Sequence, residues 1–268
     1  MSVEQLARCE FKYAIQPDTL DRIRRELERY CVVDRTGVCD SDGYYTIDSL
    51  YFDTPNLDLF RESEEERSVR RKLRVRTYPD TPASNVKIEV KRRMHELILK
   101  TSLVVPYQGW QSWLAPGFDG SVLKPESREA LATFVTLQRH LHAEPKILVR
   151  YSRVAFHSTI DNYVRITFDR RMAYQPMRTL TLEAAPRRWA PLDSARWIGD
   201  AGSLLMEVKF RNRAPLWVGD LIRRNGLVRQ GFSKFGTAIR ISSREIVRCW
   251  DLAPAWPSAR SEVSKWIF

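Results

Sequence analysis

The chain has 268 residues, of which 43% are hydrophobic and 29% charged, a balance typical of a folded soluble protein with a substantial core. Forty-four basic residues against 33 acidic ones give a formal net charge of +11, which indicates a polyanionic partner such as nucleic acid, a phosphate-rich ligand or an anionic membrane surface. No apolar run approaches the ~20 residues of a membrane span and the N-terminus lacks a signal-peptide pattern, so we expect a cytoplasmic protein without a membrane span.

The apolar periodicity of the sequence predicts seven strands and three helices. The first elements are a strand at 10–15 and a helix at 17–30, where Leu20, Ile23 and Leu27 share one face. In chain order there follow strands at 44–53, 70–78 and 86–93, a helix at 124–142, strands at 147–156, 163–169 and 204–210, and a helix at 214–225. None of the connecting stretches resembles a long linker, so we expect one domain over residues 1–268.

The predicted strands carry charged residues on one face and apolar residues on the other. Side chains alternate along a strand, so Arg70, Lys72, Arg74 and Arg76 lie on the same side of strand 70–78. For a single strand, the simplest interpretation is the solvated side of an antiparallel sheet. Four neighbouring cations repel one another unless an anion joins them, however, so their recurrence favours a bound polyanion.

The pattern Glu-x-Lys occurs at strand positions as Glu10/Lys12, Glu89/Lys91 and Glu207/Lys209. Carboxylates bind hard divalent cations, and ammonium groups bind phosphate, so together they suit a metal–phosphate ligand. The interleaved carboxylates would repel a nucleic-acid backbone. This pattern therefore argues against a nucleic-acid partner.

Antiparallel strands with one apolar and one charged face favour an α+β fold that encloses its charged side. Such strands can close into a barrel whose apolar side faces outward. The three amphipathic helices would then pack on the outside and leave a charged lumen. The predicted architecture is an antiparallel β-barrel, or tunnel, with helices around it.

At these residues the chain resembles the VTC-type polyphosphate polymerase domain, a branch of the CYTH-like triphosphate tunnel metalloenzyme superfamily. The matching segments are EFKYAI (10–15), SLYFDTP (49–55), KLRVRTY (72–78), IEVKRR (88–93), YSRVAF (151–156), VRITFD (164–169), MEVKF (206–210) and FSKFGTAI (232–239). Each segment alone is a weak signal. Their order, spacing and number together make a specific one that spans most of the chain.

The resemblance implies an eight-stranded tunnel that holds ATP and polyphosphate with Mn²⁺ or Mg²⁺ and transfers the terminal phosphate of ATP onto the chain. The phosphate ligands it implies are Lys12, Arg74, Arg76, Lys91, Lys100, Arg153, Arg165, Ser233 and Lys234. Among them, Arg74, Arg76, Lys91 and Lys234 are the implied catalytic residues. Glu207 matches the metal-binding carboxylate of the family.

Two departures from the superfamily pattern bear on these expectations. Arg8 stands where the wider superfamily has the first glutamate of Glu-x-Glu-x-Lys, a reduction that favours the VTC branch over the hydrolytic and cyclase branches. Gln230 and Gly231 stand where some relatives carry an additional lysine, so one phosphate contact would be lost.

The sequence leaves alternatives to polymerisation open. The same tunnel could serve a triphosphatase that uses water as the acceptor, or a non-catalytic protein that binds polyphosphate or nucleotide.

We further expect Lys72, Lys87 and Lys209 to line the mouths of the tunnel. Arg150 differs in strand parity from Arg153, so it is expected to point outward.

Overall fold

The computed structural model describes residues 8–34, 39–81, 85–95, 97–161, 163–185, 189–192 and 204–251. The strands are β1 (Arg8–Ile15), β2 (Cys31–Val33), β3 (Tyr45–Asp53), β4 (Val69–Thr77), β5 (Asn85–Met94), β6 (Leu97–Pro106), β7 (Glu144–Ser158), β8 (Arg165–Pro176), β9 (Ala190–Pro191) and β10 (Leu204–Arg211). The α-helices are α1 (Pro17–Leu27), α2 (Asp58–Glu64), α3 (Pro125–His140), α4 (Leu216–Arg224) and α5 (Lys234–Asp251). All seven predicted strands and all three predicted helices are present.

The strands form one antiparallel sheet. Eight of them are hydrogen-bonded in the order β1-β10-β8-β7-β3-β4-β5-β6, while β2 pairs with β7 and β9 pairs with β8. This confirms the antiparallel α+β fold.

The closure of the sheet into a barrel is not confirmed. Among the strands that the structure describes, β1 and β6 end the path and do not pair with each other. The free edge of β1 is instead met by the segment before α5, where the Gln230 amide donates to the Lys12 carbonyl at 2.8 Å. The sheet is nevertheless curved, because Glu10 on β1 lies 3.9 Å from the ammonium group of Lys91 on β5.

The outer face of the sheet is apolar, as predicted, and the three predicted helices cover it. Phe134 of α3 packs with Leu50 and Val75 on the β3–β6 half. On the other half, α1 and α4 pack against β8 and β10, and Ile23 of α1 belongs to the same buried cluster as Val208 of β10. Burial of such side chains stabilises the fold by about 1.5–3 kcal/mol each.

Helix α5 packs against the inner face of the sheet, which corrects the expectation of a wholly charged lumen. Phe235 and Ile239 of α5 belong to the same buried cluster as Ile47 on β3 and Val149 on β7. One end of the inner surface is therefore apolar and filled by the helix. Sequence analysis had taken the start of α5 only as part of a family motif.

Helix α2 contacts α5 from the side. It begins after β3, where the buried carboxylate of Asp53 accepts hydrogen bonds from the amides of Thr54, Leu59 and Phe60 at 2.7–2.8 Å. At its other end Glu64 forms an ion pair with Arg240 of α5 at 3.3 Å. The helix has fewer than two full turns of apolar periodicity, and so gave no sequence signal.

Across the part of the chain described here, no helix combines the length and apolar character needed to cross a bilayer.

Candidate functional site

Ionised side chains gather on the inner face of the sheet beside the start of α5, and we call this group the basic cluster. Its cations in the described residues are Lys12, Lys72, Arg74, Arg76, Lys87, Lys91, Lys100, Arg153, Lys209 and Lys234. Its carboxylates are Glu10, Glu89, Asp169 and Glu207. Ten cations against four carboxylates leave an excess of six positive charges within the described residues.

Glu207 lies at the centre of the β1–β10–β8 side of the basic cluster. Its Oε2 atom is 3.2 Å from Lys209 and 3.3 Å from Arg153, and its Oε1 atom is 3.5 Å from Lys234 and 4.0 Å from Lys12. Burial alone would raise its pKa, but Lys234, Lys209 and Arg153 outweigh burial and hold the pKa well below its usual value. Glu207 is therefore ionised and already surrounded by cations.

Asp169, to which sequence analysis assigned no role, is the second buried carboxylate on this side. The Arg153 guanidinium donates to both of its oxygens, at 2.6 and 2.7 Å, and the Lys234 ammonium lies 2.5 Å from Oδ2. Burial favours its neutral form, yet Arg153 and Lys234 lower its pKa below the usual value. Its position follows from the sequence, because strand parity places it on the same face as Thr167.

Glu89 has the corresponding position on the β4–β5–β6 side. It accepts a hydrogen bond from Arg74 at 2.8 Å and lies 2.7 Å from Lys100, with Arg76 and Lys87 each at 3.9 Å. Burial would raise its pKa, but Arg74, Arg76 and Lys100 lower it far more. A single carboxylate thus contacts four cations, and its one negative charge leaves most of their charge uncompensated.

Ser233 and Lys234 lie at the first turn of α5. The Ser233 hydroxyl accepts a hydrogen bond from the Gly236 amide at 3.1 Å, which makes Ser233 the N-cap of the helix. Lys234 then extends into the basic cluster, where its side chain is 9% exposed. The positive end of the helix dipole adds to the field there.

Two tyrosines not identified from the sequence support these cations. The Tyr51 ring stacks on Phe235 of α5 with centroids 5.1 Å apart, and its hydroxyl lies 3.5 Å from Arg74. Burial raises the Tyr51 pKa, but Arg74 and Arg76 outweigh it, so the pKa is lowered. The Lys234 ammonium lies 4.7 Å from the ring centre of Tyr151. Strand parity could have revealed both rings.

Most of the predicted site residues come together, and Arg165 is the exception. Its guanidinium pairs with Asp34 at 2.7 Å at the rim of the sheet and is 47% exposed. The remaining predicted residues contribute to the cluster or, for Ser233, contact it: Lys12, Arg74, Arg76, Lys91, Lys100, Arg153, Ser233, Lys234 and Glu207. Arg150 points outward as expected, where it pairs with Asp48 at 2.6 Å.

The groups around Glu207, the predicted metal ligand, determine which kind of metal site it can form. Among the described side chains, no group of three or more His, Cys, Asp or Glu residues converges as a metal site. Both oxygens of Glu207 face cations within 4.0 Å. Mg²⁺ commonly takes one or two carboxylates and its other ligands from water and phosphate. The donor set therefore fits a metal ion that arrives with phosphate, and does not fit one held by protein groups alone.

Comparison with known proteins identifies a family. The family model of the VTC domain matches residues 7–243. Among solved structures, the chain is similar to the PH1819 protein from Pyrococcus horikoshii OT3, with 11% identity and a TM-score of 0.44 over 87% of this chain and 98% of that one. No curated protein matches the chain.

Proposed function

The chain belongs to the VTC domain family, and from this premise we propose that it binds polyphosphate at the basic cluster and extends it with the terminal phosphoryl group of ATP. The observation that supports this most directly is the excess of six positive charges in the described part of the cluster. Several of these cations are deeply buried: the side chains of Arg76, Arg153 and Lys234 are 11%, 10% and 9% exposed. Buried like charges are costly unless a counter-ion joins them.

A linear phosphate polymer fits this arrangement better than a compact anion. The cations lie on neighbouring strands in successive rows, and rows on one face of a strand are spaced by about 6.8 Å. Neighbouring phosphates share a bridging oxygen and lie much closer together than this spacing, so phosphates two or three units apart along one chain can contact successive rows. Arg74 and Arg76 supply guanidinium groups, which bind phosphate oxygens through two parallel hydrogen bonds.

The proposed reaction is an in-line phosphoryl transfer. A terminal oxygen of the polyphosphate chain forms a bond to the γ-phosphorus of ATP, and the bond from that phosphorus to the bridging oxygen breaks as ADP leaves with its electron pair. The acceptor oxygen is already ionised, so the reaction needs no general base. Arg74, Arg76, Lys91 and Lys234 would stabilise the charge on the transferred phosphoryl oxygens.

Glu207, together with phosphate oxygens, would hold Mn²⁺ or Mg²⁺, which would supply neutralising charge to the phosphates. For Glu207 to take this role, Lys12, Lys209 and Lys234 must shift some of their contact from its carboxylate to the incoming phosphates. The excess of cations over carboxylates makes such an exchange electrostatically favourable.

A second candidate is polyphosphate binding without turnover. It is favoured by the ion pairs of the buried carboxylates, since Glu207 is contacted by four cations and Asp169 by two. In such a protein, these carboxylates would serve only to stabilise the cations in the absence of ligand.

Incubation of the purified protein with ATP and Mn²⁺, followed by gel electrophoresis of the products, tests the proposal. We expect long polymer together with ADP. Release of free phosphate without polymer would overturn polymerisation in favour of a triphosphatase. Tight binding of polyphosphate with no change in ATP would support the non-catalytic candidate.

A further inference from the structure

Lys72 on β4 differs from the other cations of the basic cluster. Within the described residues, every other cation of the cluster lies within 4.0 Å of a carboxylate, and Lys72 does not. Its ammonium group donates to the hydroxyl of Ser233 at 3.4 Å. The side chain is partly buried, so water compensates its charge incompletely.

The neighbours of Lys72 add positive charge from several elements. Lys91 on β5 is directly opposite in the strand register, and Lys100 on β6 is opposite Lys91, which makes a row of three cations. Lys12 on β1 and Arg74 on the same strand also repel it. Like charges directly opposite one another destabilise a sheet. Among the described residues, no carboxylate lies within 4.0 Å of the Lys72 ammonium group to offset this repulsion.

We propose that Lys72 is a further phosphate-binding residue of this site, whose counter-ion is the polyphosphate chain itself. The inference rests on the proposed binding of polyphosphate and adds a residue that the family resemblance did not assign. In the structure, Lys72 lies beside the N-cap of α5.

The environment of Lys72 couples polyphosphate binding to a proton. Burial lowers its pKa to about 8, with repulsion from Lys12, Lys91 and Arg74 acting in the same direction and Tyr51 opposing them. The free protein therefore loses this charge as the pH rises through about 8. A bound phosphate favours the charged form, so binding should take up a proton above that pH and weaken as the pH rises.

Substitution of Lys72 by arginine tests this coupling, because arginine stays charged throughout the range. We expect tripolyphosphate affinity of the unmodified protein to fall between pH 7 and pH 9 by about tenfold more than that of Lys72→Arg. Isothermal titration calorimetry at pH 8.5 in two buffers of different ionisation enthalpy should show about half a proton or more taken up by the unmodified protein beyond the uptake by Lys72→Arg. Lys91, Lys100 and Tyr51, which also titrate with shifted pKa values, are common to both proteins.

Lys72→Met provides the second arm, with Arg92→Met as its control. Arg92 lies on β5 but on the outer face, so its loss changes the net charge equally without touching the cluster. We expect Lys72→Met to weaken binding at pH 7 by about tenfold while the ligand-free protein melts no lower than the unmodified one, because a repulsive cation is removed. Equal affinities of Lys72→Met and the unmodified protein, or equal pH profiles with Lys72→Arg, would overturn the inference alone. Failure of the unmodified protein to bind polyphosphate would overturn the proposed function as well.

Discussion

At the level of single residues, the inner face combines strong ion pairs with incomplete neutralisation. Each buried carboxylate contacts two to four cations, and Arg153 and Lys234 are shared between Asp169 and Glu207. These contacts keep the cations positioned before a ligand arrives. The remaining positive charge is what a polyanion would meet, so the same residues can serve both stability and binding.

Loss of the Arg74 side chain should lower catalytic turnover without unfolding the protein. We expect Arg74→Ala to lower turnover in the polymer assay by about 10²–10³-fold, the usual cost of removing one preorganised donor. The protein should remain folded, because Glu89 keeps Lys100, Arg76 and Lys87 as partners. Circular dichroism checks the fold, and Arg92→Ala on the outer face is the control. Polymer yield equal to that of the unmodified protein would place Arg74 outside the reaction.

The charge of Glu207 should contribute to the stability of the folded protein as well as to metal binding. Glu207→Gln leaves four cations facing a neutral group, so we expect about 3–5 kcal/mol lower stability at pH 7 and a larger gain on adding tripolyphosphate. The pKa of Glu207 is depressed, so its contribution is complete above pH 4.5 and is lost as the pH falls through the folded-state value. The difference between the variant and the unmodified protein should therefore narrow in acid.

Urea unfolding at several pH values measures this difference. Glu144→Gln is the matched control, since Glu144 pairs with Lys146 at the surface and is 57% exposed. A stability difference that stays constant down to acid pH would contradict the role of the Glu207 charge.

At the level of elements, α5 decides what the inner face can do. Its first turn contributes Ser233 and Lys234 to the charged part, and its apolar stripe covers the rest. The sequence contained signals for this helix, namely Ser233 as an N-cap and apolar residues at Phe235, Ala238 and Ile239. Gly236 in the first turn and the neighbouring Thr237 weaken the helical pattern, and no helix was predicted for this segment.

Strand β6 was also missed, although its sequence alternates. Leu103 and Val105 are buried beneath α3, while Ser102 and Val104 are exposed. Only Lys100 within it had been singled out from the family resemblance. The structure shows that this lysine reaches the inner face because β6 pairs with β5.

Substitutions at Ser233 distinguish its role as the N-cap of α5 from its proposed role near bound phosphate. We expect Ser233→Ala to lower stability by about 1 kcal/mol through loss of the N-cap. Ser233→Asp should retain the cap but place a negative charge beside Lys72, so stability should be kept while polyphosphate affinity falls. Thermal unfolding and tripolyphosphate titration measure the two effects. Unchanged affinity in Ser233→Asp would show that ligand does not approach α5.

At the level of the whole molecule, one curved sheet separates two kinds of surface. The outer face is covered by α1, α3 and α4, and the inner face is shared between the basic cluster and α5. The described strands leave the sheet open between β1 and β6. The cations of the basic cluster lie on several strands, so a polyphosphate chain on the inner face would contact many strands at once. No single strand supplies enough charge to hold it.

The salt dependence of polyphosphate affinity should report this collective binding. Affinity falls as salt rises, and each phosphate neutralised contributes up to about −1 to the slope of log affinity against log salt, so we expect a slope of about −5 for the excess of six charges. Arg74→Ala should reduce the magnitude of the slope by about 1, and Arg92→Ala should leave it unchanged. Affinity that is independent of salt would show that the chain does not bind through these cations.

The sequence by itself determined which residues share a face, since strand alternation is a local property of the backbone. It therefore predicted seven of the strands, the apolar outer face, and the shared inner face of Lys72, Arg74 and Arg76 on β4. Only the tertiary structure decided which charges meet. The pairing of Asp169 with Lys234, the diversion of Arg165 to Asp34 and the filling of one end by α5 join residues distant in the chain. Such contacts depend on strand order, register and helix packing, which apolar periodicity leaves undetermined.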